Sequence, residues 1–381
     1  MDRRAIYEAL ARDAPHQEAA LQQVAAEVWR ALQPRRPSEG DAPRVCTALL
    51  SGVSGTGKTQ VCERLRALLL AAPGQPYAHR ALHCHLGGLG KLALTKFSGC
   101  SAGWNGFGAP TLAAQLRDAC APDARGEAPR CVLVQLDELD KAHPRVMDAL
   151  NSLLDRGTLE LTAELEQVRP RPETTLLLLF TANYGAGDLA VGDTLASVAH
   201  IKRAMRTQGL EDCDIGRLGT IVPFHAFEPQ AMADILAAAH AVVWREHLLT
   251  QRHAVVAEPG LAEALTRAVL AHYDARLGAR DALRLYRREL EEALDLVLLA
   301  LERAPAPRVV LGYRRLAVDA PTALFAAAEH FVSRERREHC ARRGDAHVEL
   351  LVAHSAEGAE GAVLSACLLV PPPVETKGVS S

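Results

Sequence analysis

The sequence predicts an α/β fold: a five-stranded parallel sheet sandwiched between helices, followed by a small helical lid domain. Short apolar runs of strand length alternate with helical patterns over residues 44–227. A Gly-rich turn joins the first of these runs to the helix after it, and beyond Glu228 the pattern turns wholly helical. Apolar strands alternating with helices imply a mainly parallel sheet covered on both faces.

The elements follow in chain order. Residues 17–33 carry apolar side chains at helical spacing (Ala20, Leu21, Val24, Val28, Leu32), and the breaker-rich stretch PRRPSEGDAPR reads as a linker. Residues 1–43 therefore form an N-terminal helix and linker. Strands are expected at Cys46–Ser51, Arg80–Leu86, Arg130–Leu136, Thr174–Thr181 and Thr220–Phe224, with helices after Lys58 and after Pro144. These make a domain over 44–227. Helical periods over 229–249, 261–273 and 280–303 make a second domain over 228–318, to which RVVLGYRRLAV (308–318) adds a strand. Residues 319–381 form a C-terminal extension, and its end, PPPVETKGVSS, has the composition of a disordered tail.

Composition narrows the function classes. A chain of 381 residues has ample core for such domains, and a formal net charge of -3 gives no overall basicity for a nucleic-acid or membrane-surface partner. Nine cysteines without repeated spacing read as reduced, mostly buried thiols of an intracellular, cytoplasmic protein. The N-terminus lacks the apolar segment of a signal peptide, and no apolar run approaches the roughly 18 residues of a membrane span.

The residues Gly52, Val53, Ser54, Gly55, Thr56, Gly57, Lys58 and Thr59 fit G-x-x-x-x-G-K-[ST] in full, between a strand and a helix. Phosphate oxygens need several N–H donors at short range. Glycines let the backbone wrap that closely, and a helix N-terminus adds positive potential. ATP is the expected ligand, with Lys58 on its β- and γ-phosphates and the Thr59 hydroxyl on Mg2+. The second half of such a site is Val132–Glu138, an apolar strand ending in an acidic pair. Asp137 is expected in the magnesium shell and Glu138 as the group that polarises the attacking water. An adjacent acidic pair favours ATP hydrolysis over phosphoryl transfer.

The stretch Leu136–Pro144, LDELDKAHP, resembles "DEIEKAHP" of the Clp family of AAA+ ATPases, and Met147–Leu159 resembles that family's "LLQVLDDGRL". The resemblance is to the second ATPase module of those proteins and covers roughly residues 16–318; torsins are similar more distantly. It implies four further sites. Asn183, in Thr181–Gly185, is placed as sensor 1. Arg217, in Gly216–Leu218, is placed as an arginine finger acting in a neighbouring subunit's site. Gly216 and Gly219 depart there from the family's Asn and Asp, and a plain surface arginine is the competing reading. Arg280, in Leu277–Arg280, is placed as sensor 2. Gly103, Trp104, Asn105 and Gly106, within GCSAGWNGF, resemble the substrate pore loop, against the competing reading of a buried loop tryptophan.

The expected activity is thus an ATP-hydrolysing remodeller. It would form a homo-oligomer, most simply a hexameric ring, and thread unfolded or misfolded polypeptide through its pore. Two other classes stay open: an AAA+ ATPase that remodels nucleic-acid complexes, disfavoured by the lack of a basic module, and a slowly hydrolysing, nucleotide-dependent scaffold. His83-Cys84-His85 carries three metal-capable side chains but no second ligand pair at zinc-like spacing, so it reads as a core strand. Arg334–Arg343 mixes arginines with glutamates and reads as a solvated helix face.

Overall fold

The computed structural model describes residues 2–12, 14–34, 43–71, 80–89, 93–98, 111–123, 126–143, 145–161, 166–187, 189, 192–252, 254–257, 260–271, 273–303, 308–317, 346–354 and 364–370. The chain divides into two units: Met1–Phe227 with Arg276–Gly278, and Glu228–Ala275 with Ala279–Ser381.

The first unit opens with two helices, α1 (Arg3–Ala11) and α2 (Glu18–Ala31), the former capped by Asp2, whose carboxylate accepts the Ala5 N–H at 2.7 Å. There follow β1 (Arg44–Gly52), α3 (Lys58–Leu70), β2 (Arg80–His85), α4 (Ala93–Ser98), α5 (Leu112–Cys120), β3 (Cys131–Asp137) and α6 (Arg145–Arg156). A small antiparallel pair, β4 (Leu159–Leu161) and β5 (Glu166–Val168), precedes β6 (Thr175–Ala182), α7 (Thr194–Thr207), α8 (Asp212–Arg217) and β7 (Thr220–Phe224). The five long strands form one sheet in the order β2-β3-β6-β1-β7, each neighbouring pair parallel. All five coincide with the strands expected from the sequence.

Both faces of this sheet are buried, which explains the unbroken apolar runs: every residue of β3 and of β6 is buried. Side chains alternate between two cores. Leu176, Leu178 and Phe180 of β6 join the core under α4 to α8, while Leu177 and Leu179 join the one under α1, α2 and α3. The N-terminal helices are thus sheet-covering elements, with Ile6, Leu21 and Val24 almost wholly buried. Glu27 of α2 also accepts from Thr220 Oγ1 at 2.7 Å and so ties that layer to β7.

The second unit contains α9 (Pro229–Glu246), α10 (Leu248–Arg252), β8 (Ala254–Ala257), α11 (Leu261–Leu270), α12 (Ala279–Arg303), β9 (Arg308–Ala317), β10 (Ala346–His354) and β11 (Leu364–Val370). The single helix expected over 229–249 is two, because the chain turns extended at His247, where Thr250 Oγ1 donates to the carbonyls of Trp244 and His247. Leu236, Val243, Leu265, Tyr286 and Leu290 build its helical core. The strand expected at 308–318 is β9. It lies in a four-stranded sheet ordered β11-β10-β9-β8, so the helices of this unit are accompanied by a sheet. β8 and β9 are parallel, as are β9 and β10, and β11 closes the sheet antiparallel. The expected disordered tail and the arginine-rich stretch 334–343 lie outside the described residues. Among the described residues no helix is long and apolar enough to cross a membrane.

Truncation of Leu21, 1% exposed, to alanine leaves a cavity under the sheet. The expected cost is about 2–5 kcal/mol, read as a lowered midpoint of urea denaturation; an unchanged midpoint would show that α2 adds nothing to this core.

Candidate functional site

The parallel order brings the C-terminal ends of β1, β3 and β6 to one edge of the sheet, where ligands of open α/β sheets bind. After β1 the chain enters the Gly-rich turn. Gly57 stands at φ +95°, a left-handed conformation that side chains resist, and α3 begins at the next residue with no side-chain cap on its N-terminus. Thr56 Oγ1 closes the turn by donating to Val53 O at 2.8 Å. Lys58 is buried, and its ammonium donates to Gly52 O (2.8 Å), Val53 O (2.7 Å) and Asn183 Oδ1 (3.0 Å).

This arrangement fits a phosphate. A buried ammonium that donates to neutral oxygens gains an ion pair when a negatively charged phosphate oxygen takes one of those places, and the start of α3, which has no side-chain cap, adds backbone donors. Magnesium takes hard oxygen ligands, which the Thr59 hydroxyl in the first turn of α3 and the Asp137 carboxylate at the end of β3 can supply.

Asp137 is 5% exposed and heavily hydrogen-bonded. Its Oδ1 accepts from Thr181 Oγ1 at 2.9 Å, and its Oδ2 accepts from Gln135 Nε2 at 2.9 Å and His83 Nε2 at 2.7 Å. Glu138 stands at φ +61°, left-handed for a residue that is not glycine. Such strain costs of order 1–3 kcal/mol and concentrates at functional sites. The surroundings hold it there: Lys141 Nζ donates to Oε1 at 2.7 Å, His85 Nε2 lies 3.2 Å from Oε2, and the Glu138 N–H donates to Thr181 Oγ1 at 3.2 Å. Gly87 leaves room for the carboxylate, since a Cβ there would stand 2.7 Å from Oε2.

His83 and His85 are the residues that sequence reasoning missed. Read as part of a core strand, they are instead partly exposed and face the acid pair, one imidazole on each carboxylate. The signal was present in their spacing, because residues two apart on a strand share a face, but the adjacency of β2 to β3 was needed to use it. Among the described residues no cluster of three metal-ligating side chains exists. Burial pushes the Cys131 thiol up to about 12 and Cys62 higher still, which leaves both inert in the core.

Asn183 sits where β6 ends, between Lys58 and Asp140, to which its Nδ2 donates at 3.4 Å. Arg217 lies at the end of α8 and is paired within its own chain. Its Nε reaches both oxygens of Asp155 at 2.9 and 3.0 Å, and Nη1 reaches Asp214 at 3.2 Å. Arg280 is an exposed residue in the first turn of α12, in the second unit. The Gly103, Trp104, Asn105 and Gly106 segment lies outside the described residues.

No protein-family model matches the chain. The chaperone protein ClpB of Tropheryma whipplei (strain TW08/27) is 26% identical over 275 residues, which are 70% of this chain and 34% of that protein. The ClpA homolog protein of Fuscovulum blasticum is 29% identical over 142 residues, 37% of this chain and 15% of that one. The fold matches that of Hsp104 in a closed state with ATPγS and FITC casein, with a TM-score of 0.59 at 20% identity over 78% of this chain and 48% of that chain. It also matches the S. cerevisiae Hsp104–ADP complex, with a TM-score of 0.58 at 19% identity over 81% and 50%.

The chain resembles the Clp-type AAA+ ATPases.

It spans 34% of the length of the ClpB relative and about half of the Hsp104 chains. The Clp-type fold accounts for the parallel sheet and for the loop between β1 and α3.

Thr181 bridges the acid pair: its hydroxyl donates to Asp137 and accepts the Glu138 N–H. Thr181→Val keeps the shape and removes both bonds. Stability should fall by about 1–3 kcal/mol in chemical denaturation, and a variant as stable as wild type would show that these bonds do not hold the acid pair.

Proposed function

We propose that this chain is an AAA+ ATPase module that binds ATP with Mg2+ in the turn after β1 and hydrolyses it. The observation that supports this most is the convergence of Lys58, Asp137, Glu138 and Asn183 at the ends of three adjacent parallel strands. The turn Gly52–Thr59 binds the phosphates, with Lys58 released from the loop carbonyls onto the β- and γ-oxygens. Thr59 and Asp137 would hold Mg2+, which would supply neutralisation of phosphate charge. Glu138 leaves Lys141 and His85, orients the attacking water and takes its proton. Asn183 positions the water against the γ-phosphate. Arg217 completes the site of a neighbouring subunit, which makes the working form a ring, and Arg280 couples the second unit, as a lid, to nucleotide state.

Hsp104 has been solved with casein. By that likeness the substrate here is unfolded polypeptide, gripped by the Trp104 loop and drawn through the ring. A second reading, a nucleotide-dependent scaffold with slow turnover, is favoured by one observation: Arg217 is already paired with Asp155 and Asp214. The two readings separate by rate. In the remodeller, turnover per subunit rises with protein concentration. Glu138→Gln keeps ATP binding but loses at least about a hundredfold in rate, and Arg217→Ala loses about a thousandfold. If wild type turns ATP over no faster than Glu138→Gln, the scaffold is the correct reading. Unfolded casein that leaves the wild-type rate unchanged would count against polypeptide as the substrate.

A further inference from the structure

Along β3, Cys131 and Leu133 point into the core beneath α1 to α3, and the alternation places Gln135 and Asp137 on the same side. Gln135 is 3% exposed, a polar side chain where the pattern asks for an apolar one. Such burial is unfavourable unless the amide is hydrogen-bonded, and its Nε2 donates to Asp137 Oδ2. His83 is the register partner of Gln135 on β2, and its imidazole reaches the same oxygen. With the carboxylate as acceptor, the proton of that bond sits on Nε2 of His83.

A carboxylate offers about four lone-pair sites, two on each oxygen. Gln135 and His83 occupy both sites on Oδ2. Thr181 occupies one site on Oδ1. One lone pair remains, and it is on Oδ1.

We propose that His83 and Gln135 are positioning residues that anchor Asp137 through Oδ2 and so present Oδ1 to magnesium. This rests on the reading of Asp137 as a member of the magnesium shell. Groups that orient a ligating side chain in this way are worth about 10–100-fold in metal affinity. His83-Cys84-His85 thus acts beside a metal site without being a ligand.

The test measures binding of a fluorescent ATP analogue to the full chain, once with magnesium and once with EDTA, and compares the two dissociation constants. The ratio isolates what magnesium adds. His83→Phe and Gln135→Leu should each reduce that ratio by about tenfold, with the constant in EDTA unchanged, whereas His83→Gln, which keeps a donor, retains most of it. His83 is partly exposed, so its variants keep the fold even if Gln135→Leu does not. If His83→Phe and Gln135→Leu keep the wild-type ratio while Asp137→Asn loses it, the positioning role is overturned and the magnesium reading of Asp137 stands. Equal weakening with and without magnesium overturns it as well, by tracing the effect to the phosphate loop. If Asp137→Asn itself keeps the ratio, the magnesium reading of Asp137 fails, and the inference falls with it.

Discussion

The site is organised around one buried ammonium. Lys58 folds back over its own loop, donating to two carbonyls at the end of β1 and to the Asn183 amide at the end of β6. A buried charge must be paired or hydrogen-bonded, so these three acceptors are a condition for the loop to exist in this shape. They also make the loop a spring. These three acceptors are neutral oxygens, and an incoming phosphate would offer a charged one. In the proposed ATP site, binding would thereby be coupled to release of Asn183, the residue that also touches Asp140 beside the acid pair. The parallel order of the sheet makes this coupling possible, because β1 and β6 are neighbours in register from Arg44 to Ser51.

The acidic half of the site is held in a different way. Asp137 and Glu138 follow each other in sequence but face unlike surroundings. The first is buried among three donors, and the second is strained and more open, lying between Lys141 and His85. One carboxylate is fixed and the other is restrained by contacts it can leave. That division suits a pair in which one member holds a metal and the other moves onto a water. Arg217 shows the same economy: its partners Asp155 and Asp214 lie on its own chain, and pairs this exposed are weak enough to exchange.

Much of this was legible from residue order. The five strands were visible because both faces of the sheet are buried and the runs are therefore unbroken, as in Leu176 to Phe180. The Gly-rich turn between β1 and α3 was visible because its glycines serve local geometry. What lay hidden depends on neighbours distant in sequence. His83 and His85 acquire meaning only when β2 lies against β3, and Gln135 looks like an irregularity until the Asp137 oxygen it reaches is known. The break at His247 was missed because the apolar period continues across it while the Thr250 hydroxyl takes the last carbonyls. β10 and β11 were missed because β10 joins β9 in parallel, a pairing between distant segments that no local turn announces, and β11 is recognisable only as the antiparallel partner of β10.

In the proposed ring each ATP site is completed by a second subunit. Mixing Glu138→Gln with Arg217→Ala tests it most directly, since each variant alone lacks one part of every site. In a mixed ring, an Arg217→Ala subunit keeps its own Glu138 and can receive Arg217 from a Glu138→Gln neighbour. ATPase activity should therefore reappear on mixing and vary with the ratio of the two. Activity that stays at the level of the separate variants at every ratio, although the two co-assemble, would contradict a shared site.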